Sequence, residues 1–439
     1  MDTARAFRDV LLPTLAKGPL IRRRKVVGLA ERAHLDDKAV RCMQALRRKY
    51  GAGPLVLPIP FRPQALLLSA EDVRMVLEYS PEPFAAASRE KQSALDHFEP
   101  ENVLASRGAN RAQRRALNEA TLETSCERHS MSALFARVVD EEMELISAAA
   151  IRNGTLDWNI FFTGWMCMVR RIMLGDAARD DTALTDLLEK LRYRANYGFL
   201  RRQAPRQRQQ LLDQLAQYVS RAAPESLAGQ MARHCTDPAQ MPHHQLPQYL
   251  FAFDPGAMAT FRTLAMLSLD RRSAELARDE ITSSAGELAP RLEFLRACLL
   301  EALRLWPTTP AILRETTGPV KWAQGQLDRG TQVIVFTPFL HRDDETLADA
   351  HRFEPSRWLN SIAKPELGLV PFSHGPVQCP AAHFVPMIAS LALRSLMSGL
   401  DVAVLEAERL PLARLPGTFD NFTLKFTVTR RLDEPTTVA

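Results

Sequence analysis

No two cysteines in this 439-residue chain are spaced CxxC, and the six present, Cys42, Cys126, Cys167, Cys235, Cys298 and Cys379, are scattered. That spacing excludes a disulfide scaffold and leaves reduced thiols of an intracellular protein. No run reaches the roughly eighteen uncharged apolar residues that a membrane span needs. The start, MDTARAFRDVLLPTLAKGPLIRRRK, has an acid at position 2 and its basic residues after the apolar stretch, the reverse of a signal peptide. A soluble, cytoplasmic protein is expected, with IRRRK offering at most a weak membrane-surface or partner contact. There is no internal repeat and no low-complexity linker. A net charge of +5 raises nucleic acid as a partner. The basic residues, however, are spread over several helices with no zinc knuckle, recognition-helix pattern or aromatic-basic RNA motif, so no nucleic acid is expected. An acidic protein partner suits a patchy basic surface equally well.

What is present is ordinary for a folded enzyme: 46% apolar and 24% charged residues. Amphipathic periodicity predicts helices over 35–49, 110–122, 129–150, 157–174, 182–197, 205–221, 243–268, 288–305 and 380–398. Short strands are predicted at 53–59, 64–69, 319–323, 332–337 and 421–429, punctuated by Gly and Pro. The pattern predicts a mainly α protein with a small β-sheet region contributed by both ends, one interleaved domain over 1–439.

Three segments carry chemistry. In LEFLRACLLEALRLWPTTP, Glu301 and Arg304 stand three apart on one helix face among leucines. Most such pairs decorate a surface, but this setting predicts a buried pair that needs a further partner. HRFEPSRWL supplies a candidate in Arg357. Further on, PFSHGPVQCPA places Cys379 alone in a Gly/Pro-rich loop ahead of an apolar run. A buried structural thiol is the commonest role for such a residue. A zinc site with His374 and His383 lacks a fourth nearby ligand.

In this order the three segments resemble the cytochrome P450 family of haem-thiolate proteins. The ExxR helix is Glu301 to Arg304, Arg357 is the third member of its triad, and Phe372, Gly375 and Cys379 follow the pattern FxxGxxxCxG. QVIVFT, Arg314 in PAILRETT, and RGANRAQRRALNEA match as well. The resemblance implies the P450 fold, with haem b between a long distal helix and the proximal cysteine loop and helix. It makes the Cys379 thiolate the axial iron ligand, a bond that pushes electron density toward the opposite face and favours O–O cleavage. Gly375 would let the loop turn with positive φ, and the helix from about Ala381 would point its positive end at the sulfur. Phe372, His374 and Ala381 belong to the same cradle, and Arg111, Arg115 and Arg314 would pair with the two haem carboxylates.

The chain departs from the family pattern in four places. Ala381 stands for the usual glycine, Val377 for a usual basic residue, and Arg111 for a usual tryptophan or histidine. In QYLFAFDPGAMATFRTLAML the family's acid–threonine pair becomes Asp254–Pro255. Proline removes an N–H and frees the carbonyl of Phe251, which with Asp254 could hold a water over the iron; the alternative is a structural kink with Asp254 capping the second half of the helix.

The resemblance implies a monooxygenase drawing two electrons from a ferredoxin or flavodoxin on a basic proximal face and oxidising a small lipophilic molecule. Two further readings are an atypical relative that uses hydrogen peroxide or rearranges its substrate, and a haem protein that only binds a ligand. The pocket is expected to be lined by Phe251, Phe253, Ala257, Thr309, Ile312 and Phe419, which are mostly apolar.

Overall fold

The computed structural model describes residues 2–59, 62–323, 325–359 and 364–431. The strand predicted over 53–59 is shorter, Leu55–Leu57. The main sheet has five strands in the order Leu55–Leu57, Gln64–Leu66, Gln332–Phe336, Ala311–Thr316 and Phe84–Ala85. It joins the early part of the chain to the late part. Gln64 pairs in parallel with Gln332, and Leu313 pairs antiparallel with Ile334. A second sheet orders Thr155–Asp157, Lys425–Arg430 and Leu400–Val404, and Val320–Trp322 pairs with Gly325–Leu327.

Helices fill the rest. The predicted ones appear, with ends displaced by a few residues: Gly108–Leu122, Ser132–Asn153, Trp158–Leu174, Thr182–Ala195, Leu246–Leu269 and Glu293–Leu305 among them. The helix after the cysteine starts at Phe384, not near Ala381, because residues 380–383 form a turn first. Strand Ala311–Thr316 and helices Ala70–Glu78 and Arg89–Leu95 were not foreseen. The two helices are short, and the strand alternates weakly; each is fixed by tertiary partners.

The 24-residue helix Leu246–Leu269 runs through the core, a span of about 36 Å at the α-helical rise. Trp158, Phe161 and Trp165 pack on its side, with Phe161 and Phe261 stacked at 4.9 Å. Pro255 lies inside it without ending it.

One buried titratable group connects the sheet to the cysteine loop. His341, with no exposed surface, accepts the Val370 N–H at Nε2 (3.1 Å). Burial, reinforced by the neighbouring Arg304, pushes its pKa down to about 3. The folded state therefore holds it neutral, so its stabilisation is complete above the unfolded pKa of about 6.5 and is lost as pH falls toward 3. Between pH 6 and 5 His341 should contribute a slope of up to roughly 1.4 kcal/mol per pH unit. In urea titrations at the two pH values, His341→Gln should flatten the loss of stability; an unchanged slope contradicts this assignment.

Candidate active site

The buried pair predicted in the Glu293–Leu305 helix is present and complete. Glu301 and Arg304 have no exposed surface. Arg304 Nε and Nη2 donate to the Glu301 carboxylate at 2.9 and 2.7 Å. Its other N–H groups reach the carbonyls of His341, Ala350 and Arg352 at 2.7 to 2.8 Å, so all of its roughly five donors are used. Arg357 Nε lies 3.2 Å from Glu301, and the Trp358 indole and Glu354 amide donate to the same carboxylate at 2.7 and 3.0 Å. A charge pair taken from water needs such saturation to persist. The result is a rigid clamp between the helix, the Thr337–His341 turn and the segment before the cysteine loop.

That loop is built on glycine. Gly375 has φ +69°, and a Cβ there would sit 2.5 Å from the Leu77 carbonyl in the Ala70–Glu78 helix, so a larger residue would displace one or the other. The Cys379 amide donates to the Phe372 carbonyl (2.9 Å) and closes the loop. His374 Nε2 is 3.7 Å from Glu78. Arg314 Nη2 donates to Ser373 Oγ (3.1 Å), and Arg115 Nη1 donates to the Gln378 carbonyl (2.7 Å). Ala381 is buried in the main core cluster. Burial pushes the Cys379 thiol up, opposed by the Ala381 amide and by Arg115. As protein alone, the thiol stays protonated; a cation at the sulfur would reverse that balance.

The charges around the loop do not cancel. Burial and then the neighbouring Arg111 pull Arg314 down to about 10. Arg111 is itself depressed by burial and by Arg115, and its buried Nε has no partner. Sequence reasoning missed the third cation, Lys91, which burial, Arg314 and Arg111 together push down to about 7. Lys91 sits in the first turn of Arg89–Leu95, where the Ser88 hydroxyl accepts its amide. Among the described residues none of the three has a carboxylate at ion-pair distance. Arg115, expected beside Arg111 and Arg314, is engaged with Glu119 at 2.6 Å as well as with the loop.

On the distal helix, Phe251, Ala252, Asp254 and Pro255 are partly exposed, whereas Phe253, Gly256 and Ala257 are buried. At about 100° per residue the first four share one face. Phe253 and Ala257, expected at the pocket, thus lie off the face that Phe251 and Asp254 share. The Phe253 ring packs against Trp165 and Phe384, and its carbonyl accepts the Trp165 indole N–H (3.0 Å). Asp254 forms no cap. Its Oδ2 accepts from Arg192 Nη1 at 2.6 Å, and the same guanidinium lies 4.5 Å from the Phe251 ring. Thr309 is exposed, while Ile312 and Phe419 are buried, with the Phe419 ring tilted at 44° against Trp306.

Comparison with known proteins points the same way. Residues 254–419 match a cytochrome P450 domain. The match, to the family model described as cytochrome P450, covers the part that holds Asp254, the Glu301 clamp and the Cys379 loop. Over 88% of this chain and 94% of the other, the fold matches the structure described as retinoic acid bound cyanobacterial CYP120A1, with a TM-score of 0.71 and 16% identity. A probable cytochrome P450 6d5 of Drosophila melanogaster is 26% identical over 36% of this chain and 33% of its own length. The mitochondrial 1,25-dihydroxyvitamin D(3) 24-hydroxylase of Rattus norvegicus is 28% identical over 31% of this chain and 27% of its own. The matched region thus spans about a third or less of these P450 relatives. A haem would fit the residues present: its two carboxylates suit Lys91, Arg111 and Arg314, which have no carboxylate at ion-pair distance among the described residues, and its iron suits the Cys379 thiol in the glycine-built loop. No helix among the described residues is long and apolar enough to cross a membrane.

Proposed function

We propose that this chain is a haem-thiolate monooxygenase, with haem b ligated by Cys379, that oxidises a small lipophilic molecule. The observation that carries it is the pairing of the Cys379 thiol, in a glycine-built loop, with three neighbouring cations, the buried Arg314 and the half-buried Lys91 and Arg111, that have no carboxylate at ion-pair distance among the described residues. Bound there, a haem-thiolate supplies reductive activation of dioxygen. The chain's own residues do the rest. Gly375, Phe372 and the Ala381 amide shape the loop around the sulfur. Arg111, Arg314 and Lys91 hold the carboxylates, Lys91 standing in for the basic residue replaced by Val377. Phe251, Thr309, Ile312 and Phe419 give the substrate side an apolar wall. Retinoic acid, named for the cyanobacterial structure, belongs to the lipophilic class we propose here. An acidic ferredoxin or flavodoxin is the proposed donor, in a cytoplasmic setting.

Proton supply on the distal side falls to Asp254. Pro255 offers neither hydroxyl nor N–H, so the Asp254 carboxylate, held by Arg192 and on the same helix face as Phe251, is the acid that takes this role. Asp254→Asn should lower product formed per dioxygen consumed by about a hundredfold, the scale of a lost general acid; unchanged coupling contradicts the role.

Lys91→Met should speed haem loss to an acceptor protein roughly tenfold or more, the worth of one charge-assisted hydrogen bond, while Lys91→Arg retains haem. Haem loss equal to wild type removes Lys91 from the cradle. The overall reading is tested by product formation with surrogate reductase and dioxygen, run beside hydrogen peroxide alone. Turnover needing both reductant and dioxygen supports it; turnover with peroxide alone, or none, opposes it.

A further inference from the structure

A second charged cavity lies apart from the cysteine loop. It has a volume of about 40 Å³ and is walled by Lys17, Arg22, Asp36, Met258, Arg262 and Phe419. A cavity needs only about 10–15 Å³ to admit a water, so this one has room for one small polar group.

Its charges are unbalanced. Lys17, Asp36 and Arg262 are each more than nine-tenths buried. Asp36 is fully committed: Oδ1 meets Lys17 Nζ at 2.5 Å and Oδ2 accepts from Thr418 at 2.7 Å. Arg262 Nη1 and Nη2 donate to the carbonyls of Trp306 and Phe419 at 3.1 and 2.9 Å, and its buried Nε has no partner. Arg22 donates to the carbonyls of Gly18 and Thr308 at 2.8 and 2.6 Å. Each guanidinium carries about five donors, so both retain spare N–H groups. Among the described residues neither arginine has a carboxylate at ion-pair distance. Burial, and then repulsion from Arg22, lowers Arg262 to about 10. The nearest other acids are engaged: Glu31 accepts from Arg409 at 2.8 Å, and Asp420 accepts the Phe422 amide at 3.0 Å.

We propose that this cavity binds a single carboxylate between Arg22 and Arg262. A planar carboxylate matches guanidinium forks and would cancel the excess charge. The cavity wall also has apolar residues. Met258 stands one helical turn beyond Asp254, and Thr308 and Phe419 adjoin or belong to the wall assigned above to the substrate. A lipophilic acid could seat its head here and extend its chain toward Asp254; that extension, though not the anion site, rests on the proposed function.

The test is isothermal titration of the full chain as purified, with decanoate, decanol and acetate, on wild type, Arg22→Gln and Arg262→Gln. Decanoate should bind at least about tenfold more tightly than decanol, and each variant should weaken decanoate roughly ten- to hundredfold while leaving decanol unchanged. Acetate binding as tightly as decanoate, with the same arginine dependence, keeps the carboxylate site and makes a free anion its occupant. Decanoate no tighter than decanol in wild type overturns the proposal even if a variant does not fold, as does decanoate binding indifferent to both substitutions. The heat of binding does not report on iron, so an inactive or haem-poor protein would count against the monooxygenase reading alone.

Discussion

Cys379→Ala should abolish dioxygen-dependent turnover, by roughly a thousandfold or more, which corresponds to about 4 kcal/mol on the barrier. The reason is local. Cys379 stands in a loop whose shape is fixed by Gly375 against Leu77, by the Cys379 amide on Phe372, and by Arg314 and Arg115 on Ser373 and Gln378. Alanine keeps every one of those backbone bonds and removes only the sulfur. A fall in turnover with unchanged thermal stability of the haem-free chain therefore assigns the loss to chemistry. Turnover within a few fold of wild type would show that the thiol is a core residue, the commonest role for a buried cysteine.

Glu301→Gln should cost about 3–5 kcal/mol of folding stability, the range for breaking a buried ion pair by removing one charge. Glutamine retains the shape but only one acceptor oxygen, so of Trp358 and Glu354, which donate to different oxygens of Glu301, one would face an N–H group. Arg304 and Arg357 would then face each other across a neutral amide. Arg304 is held by the carbonyls of His341, Ala350 and Arg352 and cannot turn to solvent without unmaking the clamp. A change of that size is a large fraction of the total stability of an ordinary domain. Urea unfolding of wild type, Glu301→Gln, Arg357→Met and the double variant checks it. Strong coupling between the two sites is expected, and a loss below about 1 kcal/mol for Glu301→Gln would show the pair to be energetically idle.

Much of this was readable in the chain. Leucines around Glu301 and Arg304 announced burial, and the third partner could be found because tryptophan and proline flank Arg357. The long distal helix announced itself by its apolar length. Less legible was anything set by approach in space. Lys91 looks like one more charged residue in SREKQSAL, and only the fold brings it to Arg111 and Arg314. Phe253 and Phe251 are both apolar residues of one helix, and the packing of Trp165 and Phe384 decides which of them faces inward. Asp254 appeared free to hold a water because its partner, Arg192, is sixty-two positions earlier in the chain.

The central claim is that Cys379 ligates haem iron, and X-ray absorption at the iron edge tests it most directly. The purified chain, with one haem per protein, should show sulfur in the iron's first coordination shell, and Cys379→Ala reconstituted with haem should not. Iron coordinated only by nitrogen and oxygen in the wild type would contradict it.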